Sequence, residues 1–235
     1  MAAMKSIVAG NRLLAGLPDG DHGRMLTACD AVELAVAQVL CASGARLRHV
    51  YFPTGAFVSL VASYDGGAGL QMAMIGEEGM LGISLLLGVS VARYEQLVQG
   101  TGSALRMTAA SFQLQLEHIP TLRRRLNRYA HVQMHQIAMT AACTRFHLVE
   151  ERLACWLLVA QDRSGSNEIH ATHQYLASIL GVRRVGITNA AISLQKQSLI
   201  RYSRGNITIL DRRGLKARAC GCYVAANRFY DGILG

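Results

Sequence analysis

The chain has 235 residues, of which 51% are hydrophobic and 17% charged, a globular balance that excludes a disordered or low-complexity polymer. Its longest charge-free apolar run, Met80 to Val91, holds 12 residues, well short of the ~20 a membrane-spanning helix needs, and no membrane partner is expected. Residues 155–235 carry 11 Lys/Arg against 4 Asp/Glu, while the first 154 residues carry 13 against 11, so nearly all of the net charge of +9 sits in the last third. A basic segment beside a nearly neutral one points to a polyanion-binding module joined to a domain with another task.

The opening, Met1 to Leu14, reads as helix and has no continuous apolar stretch with a cleavage site. Six cysteines (Cys29, Cys41, Cys143, Cys155, Cys220, Cys222) form no framework and read as reduced thiols, which points to the cytoplasm. From about Arg46 to Met107 glycine is dense (positions 55, 66, 67, 69, 76, 79, 82, 88, 100 and 102). Short apolar runs lie between, among them Val50–Pro53, Phe57–Tyr64 and Leu70–Ile75. Short strands with glycine turns predict an antiparallel barrel or sandwich.

From Pro120 the pattern changes. Proline suits the first turn of a helix, and neither Gly nor Pro recurs before Gly165. Val132, Gln136, Met139, Cys143 and Phe146 repeat at spacings of four and three. Such a seam fits a two-stranded coiled coil or a helix packed on its own domain. Arg163 to Asn167 reads as a surface linker, and beyond it the expectation is two helices followed by two short strands.

The most specific signal is His173 to Leu194. Ala177 is the small residue needed where two helices cross, and four residues later Gly181 tolerates the sharp turn. Six residues after that, Ile187 plugs the angle, with Leu176, Leu180, Val182, Ala190 and Leu194 facing inward. Thr172 is the expected N-cap, beside His173. The second helix would present Arg184, Val185, Thr188 and Asn189 to base edges. There Arg suits guanine, Asn adenine and Val the thymine methyl. Arg183, Lys196 and Arg204 fall nearer phosphates. Leu199 to Leu210 reads as a hairpin with its basic tip at Arg204, making the module a winged helix.

This order of Gly-rich β region, long helix and winged helix resembles the Crp/Fnr family of bacterial regulators. The run Gly76-Glu-Glu-Gly-Met-Leu-Gly82, Arg93 and Arg152-Leu-Ala154 match its landmarks, and the likeness covers about residues 20–215. It implies an α+β fold: an N-terminal cyclic-nucleotide-binding-like β-roll (a cupin-like jelly roll, residues 1–118), a dimerisation helix (119–148) and a C-terminal winged helix-turn-helix (149–235). It further implies a homodimer on a palindromic double-stranded operator, with RNA polymerase as a partner. Val185 and Asn189 depart from the family's reading residues, so the operator should differ from the familiar half-site.

The family's cyclic-AMP pocket is not kept. Arg93 matches the phosphate-binding arginine, but the ribose-binding glutamate falls on Ile83, the following Ser/Thr on Tyr94, and the hydroxyl pair on the long helix on Ile137 and Ala138. Unpaired, a buried ribose hydroxyl would cost about 1–3 kcal/mol, so cyclic AMP is not expected, although an unidentified effector remains open. Arg93 would bind another anion or pair with Glu95 or Glu77. Cys29 and Cys41 are too few and too far apart for an iron–sulfur cluster. His131 and His135 read as solvated or interfacial. Cys220 and Cys222 show only two ligands, so no cofactor and no metal site is expected. The alternatives are a haem- or thiol-sensing member of the same family, or a DNA-binding protein with no effector. An enzyme ranks lower, because no P-loop, nucleophile elbow or metalloprotease motif occurs.

Overall fold

A computed structural model describes residues 10–63 and 69–235. The opening residues 1–9, together with Tyr64, Gly66 and Gly67, which entered the reading above, lie outside the described residues. The chain forms two compact units. One comprises residues 1–60, 74–134 and 232–235, the other residues 61–73 and 135–231.

The first unit opens with α1 (Arg12–Ala15) and α2 (Asp19–Thr27). Asn11 caps α1 and is fully buried, its amide donating to the carbonyls of Pro53 (3.0 Å) and Gly79 (2.9 Å). Next in the chain come β1 (Asp30–Leu34), β2 (Val39–Cys41), β3 (His49–Pro53), β4 (Phe57–Ala62), β5 (Leu70–Ile75), β6 (Glu95–Gly100) and β7 (Gly102–Thr108), of which β4 ends and β5 begins within the stretch 61–73 that belongs to the other unit. They form two sheets ordered β1-β7-β3 and β2-β6-β4-β5. Strands β1 and β3 both pair antiparallel with β7, and β2 with β6. Every residue of β4 is buried, so Phe57-Val-Ser-Leu-Val-Ala62 lacks the polar alternation of a half-exposed strand. The Gly76–Gly82 run turns the chain from β5 into a 3-10 turn at Ile83–Leu87, with the Glu78 carboxylate accepting from the Gly76 N–H at 3.1 Å.

α3 (Ala109–His118) leads into α4 (Pro120–Phe146), the expected long helix starting at its proline. At Val132 its seam fits the second alternative, a helix packed on its own domain. Val132 is fully buried in the first unit, and Cys143 turns toward other cysteines of the second. An exposed stripe of His131, Met134, Ala138, Ala141 and Arg145 runs beside the seam, again at alternating spacings of three and four, and Phe146 of the seam is exposed as well. Heptad periodicity alone cannot tell two adjacent registers apart when apolar residues occupy both.

The second unit holds α5 (Val149–Ser164), β8 (Glu168–His170), α6 (His173–Ile179), α7 (Arg184–Lys196), β9 (Ile200–Ser203), β10 (Asn206–Ile209), α8 (Arg212–Arg218) and α9 (Cys222–Leu234). The helix-turn-helix expectation holds in detail. Ile187 and Leu194 are completely buried, and Leu176, Ala177, Ala190 and Ala191 nearly so. Of residues 163–167, read above as a surface linker, Arg163 and Ser164 end α5 and 165–167 form the short loop to β8; what was not foreseen is β8 itself, which pairs antiparallel with β10 and makes the wing three-stranded. The helices α8 and α9 were also not foreseen. Arg212 anchors them through Asp162 (2.6 Å) and the Tyr223 hydroxyl (2.8 Å).

Gly181 sits at φ +62° between α6 and α7, where an L-residue is strained by roughly 1–2 kcal/mol. A Cβ there would meet only the flexible tip of Leu70, so strain and not collision sets the effect. Gly181→Ala should therefore lower unfolding stability by about 1–2 kcal/mol. Chemical denaturation checks this, and an unchanged midpoint would mean the turn relaxes out of the left-handed region.

Candidate nucleic-acid interface

α7 begins with Arg183 as its N-cap residue and Arg184 as its first helical residue. Arg183, Arg184, Val185 and Asn189 are all exposed on its first turns. Val185 is 61% exposed, a large apolar side chain in water where a thymine methyl could cover it. The buried set one face away fixes the helix against α5 and α6, so this end is rigidly presented. Lys196 is exposed too, but at the opposite end of the helix.

Thr188 and His173 have partners within the domain. Thr188 is half-buried, and its hydroxyl is engaged by the Arg184 carbonyl and by His173 Nδ1, both at 3.1 Å. His173 in turn stacks on Tyr202 of β9, with centroids 4.4 Å apart and planes 7° off parallel. The pair ties α6, α7 and the wing together. Thr172 caps α6 as expected, accepting from the Tyr175 N–H at 3.1 Å.

The wing turn is the two-residue pair Arg204-Gly205, both at positive φ (+50° and +86°). That is the left-handed geometry of the tight hairpin turn that matches strand twist. It carries the exposed Arg204 at the tip. Behind the motif, Arg152 is buried, its guanidinium donating to the Leu180 carbonyl at the helix-turn-helix turn and to Thr144 Oγ1 at 3.4 Å.

The combination of a crossing-helix pair with a Gly turn, a three-stranded wing and a cationic reading end is decisive. Residues 151–218 match the Crp-like helix-turn-helix domain. That stretch is thus a Crp-like helix-turn-helix domain. No curated protein matches the sequence itself. Solved structures share the fold. FixK2 from Bradyrhizobium japonicum superposes with a TM-score of 0.69 at 13% identity, over 82% of this chain and 98% of that one. A CRP-family transcriptional regulator from Thermus thermophilus gives 0.67 at 17% identity, over 80% and 96%. The c-di-GMP-responsive global regulator CLP from Xanthomonas campestris gives 0.63 at 13% identity, over 83% and 100%.

The first unit holds a cleft of about 430 Å³, lined by Ile83, Arg93 and Tyr94 among others. Arg93 is exposed and forms no ion pair with Glu95 or Glu77 among the described residues, contrary to the pairing considered above. From the long helix Gln133 lines the cleft, rather than Ile137 or Ala138. Gln133 and Gln96 are each more than nine-tenths buried there, and Gln133 Nε2 and Gln96 Oε1 have no hydrogen-bond partner. Sequence reading missed both, because a glutamine in an apolar run carries no signal until its neighbours are known.

His135 stacks on Phe229 of the same chain, with ring centroids 3.9 Å apart, a packing role that the reading as solvated or interfacial did not foresee. The cysteines hold a larger surprise. Cys143 Sγ lies 3.6 Å from Cys220 Sγ, and Cys222 Sγ lies 3.5 Å from His147 Nδ1. The two partners that Cys220 and Cys222 were thought to lack come from the end of α4. Their four-residue spacing, one helical turn, was the available signal. Hydrogen bonds from the Cys143 and Cys155 thiols hold Cys220 well below the ordinary thiol range. Each of those two is pushed up, first by its bond to Cys220. Cys29, by contrast, is pushed up to about 12 by burial and by Asp30, the setting of an inert thiol.

Burial, and secondarily the Arg184 charge, lowers the His173 pKa below 6.5. The folded state thus binds a proton less readily than the unfolded chain. Its contribution is fully present above about 6.5 and is lost as pH falls through the folded value. Removing the charge in Arg184→Ala should move the His173 titration midpoint up toward 6.5, read by the imidazole proton shifts in NMR. A midpoint that stays put would show that burial acts alone.

Proposed function

We propose that this chain is a homodimeric, cytoplasmic transcription regulator that reads a two-fold symmetric operator through α7 and does not respond to cyclic AMP. The observation that carries the reading is the exposure of Arg183, Arg184, Val185 and Asn189 on a helix whose opposite face is buried. An enzyme offers no reason for a rigid cationic helix end beside a basic wing tip. Dimerisation is supported by the exposed stripe of α4, where the small side chains of Ala138 and Ala141 would let two helices approach and Met134 would fill the gap between them. Two recognition helices related by that axis would engage half-sites about one helical turn apart. RNA polymerase is the expected partner on the bound operator.

Selection from random duplexes should enrich a palindrome whose binding weakens steeply with salt as phosphate contacts release counterions. On that site Arg184→Ala should cost roughly 1–3 kcal/mol and relax preference at one base pair per half-site. Arg204→Ala should weaken all DNA alike and lower the salt slope by about one per subunit. Enrichment of no sequence, or of one without dyad symmetry, would remove this reading. The reverse pattern of the two variants would move the reading role from α7 to the wing.

The N-terminal cleft supports an effector other than a cyclic mononucleotide. Ile83 offers the ribose no acceptor, and Tyr94 adds bulk beside Arg93. The two unpartnered amides of Gln96 and Gln133 instead present an acceptor and a donor to whatever enters. Calorimetric titration with cyclic AMP or cyclic GMP should show no binding at micromolar concentration, and micromolar affinity for either would overturn the point. A haem- or thiol-sensing protein is the second reading, favoured by the cysteine cluster, and a Soret band in the purified protein would be its sign.

A further inference from the structure

Four candidate ligand atoms of the second unit come together: the sulfurs of Cys143, Cys220 and Cys222 and a ring nitrogen of His147, all within 4.8 Å of one another. Two of these residues lie one turn apart at the end of α4, and two flank the turn between α8 and α9. Cys220 is buried and the other three half-buried. We propose that Cys143, His147, Cys220 and Cys222 form a closed tetrahedral site for one thiophilic divalent cation of the zinc class.

The distances carry the assignment. Zinc bonds of about 2.3 Å to sulfur and 2.0–2.1 Å to nitrogen set tetrahedral edges of about 3.8 Å between two sulfurs and about 3.5 Å between sulfur and nitrogen. The observed edges are 3.6 Å for Cys143–Cys220 and 3.5 Å for Cys222–His147. Three thiolates and an imidazole are a soft, borderline set that suits zinc and disfavours magnesium or calcium. Four protein ligands fill the tetrahedron and leave no open position, which makes the site structural and not hydrolytic. On binding, each thiol gives up its proton to solvent and His147 binds as the neutral ring.

The ion's place in the chain gives it a role. It joins Cys143 to Cys222, closing a loop around the whole matched domain at residues 151–218. A clip that closes a long loop removes the most freedom from the unfolded chain. Cys143 is also adjacent to Thr144, which Arg152 bonds while holding the helix-turn-helix turn at Leu180. The metal would therefore fix the helix end against which the DNA-binding module is braced.

The test is titration of the full, reduced, chelator-stripped chain with Co²⁺, then displacement by Zn²⁺. One equivalent should bind with the intense visible absorption of tetrahedral cobalt and a thiolate-to-metal charge-transfer band. Zinc should displace it and raise Tm by roughly 5–10 °C at a hundredfold excess over Kd. Cys143→Ser, His147→Ala and Cys222→Ser should each weaken binding by at least about a hundredfold, while Cys155→Ser, outside the four, keeps the spectrum. A weak octahedral cobalt spectrum, or no uptake, would overturn the proposal on the unaltered chain, whether or not a variant folds. So would uptake that survives both Cys143→Ser and His147→Ala, or uptake lost only in Cys155→Ser. A Cys143–Cys220 disulfide forming equally with and without zinc would mark the cluster as a thiol pair instead.

Discussion

A single buried guanidinium organises the DNA-binding end of this molecule. Arg152 lies in the first turn of α5, and donates at once to the Leu180 carbonyl, where α6 turns into α7, and to Thr144 near the end of α4. A charge taken out of water is tolerated only where its donors are met, so both acceptors have to be held in place. The sharp turn at Gly181 fixes the angle of the two helices, and Arg152 fixes that turn to the long helix. Losing the guanidinium would leave the Leu180 carbonyl buried beside a void, which is why the Arg-Leu-Ala run is as informative as the reading helix itself.

Around that brace the polar residues divide by task. Arg183, Arg184, Val185 and Asn189 are left in solvent, whereas Thr188 and His173 are drawn into a stack and hydrogen bonds that join α6, α7 and the wing. A residue whose hydroxyl is already satisfied has little left for a base edge. Exposed and internally engaged residues are thus neighbours on the same helix turns. In the first unit the opposite condition holds. Gln96 and Gln133 are buried with atoms unsatisfied, and such groups persist where something other than apoprotein stability retains them.

The chain's own sequence determined the β region, the long helix and the helix-turn-helix in that order, because these rest on local rules. Pro120 starts a helix, Gly181 takes a positive φ, and Ala177, Ile187 and Leu194 face inward at helical spacing. Composition alone placed the charge in the last third. What the sequence could not decide was every feature made by residues distant in the chain. Which face of α4 is left in water stayed open, since it depends on what packs against the helix. β8 went unread because three residues become a strand only when β10 lies beside them. Cys220 and Cys222 looked solitary because their partners stand some seventy residues away, and the amides of the cleft were invisible for the same reason. Periodicity and capping are properties of adjacent residues and can be read in order. Register, burial and ligand sets are properties of neighbours in space, which only the folded chain brings together.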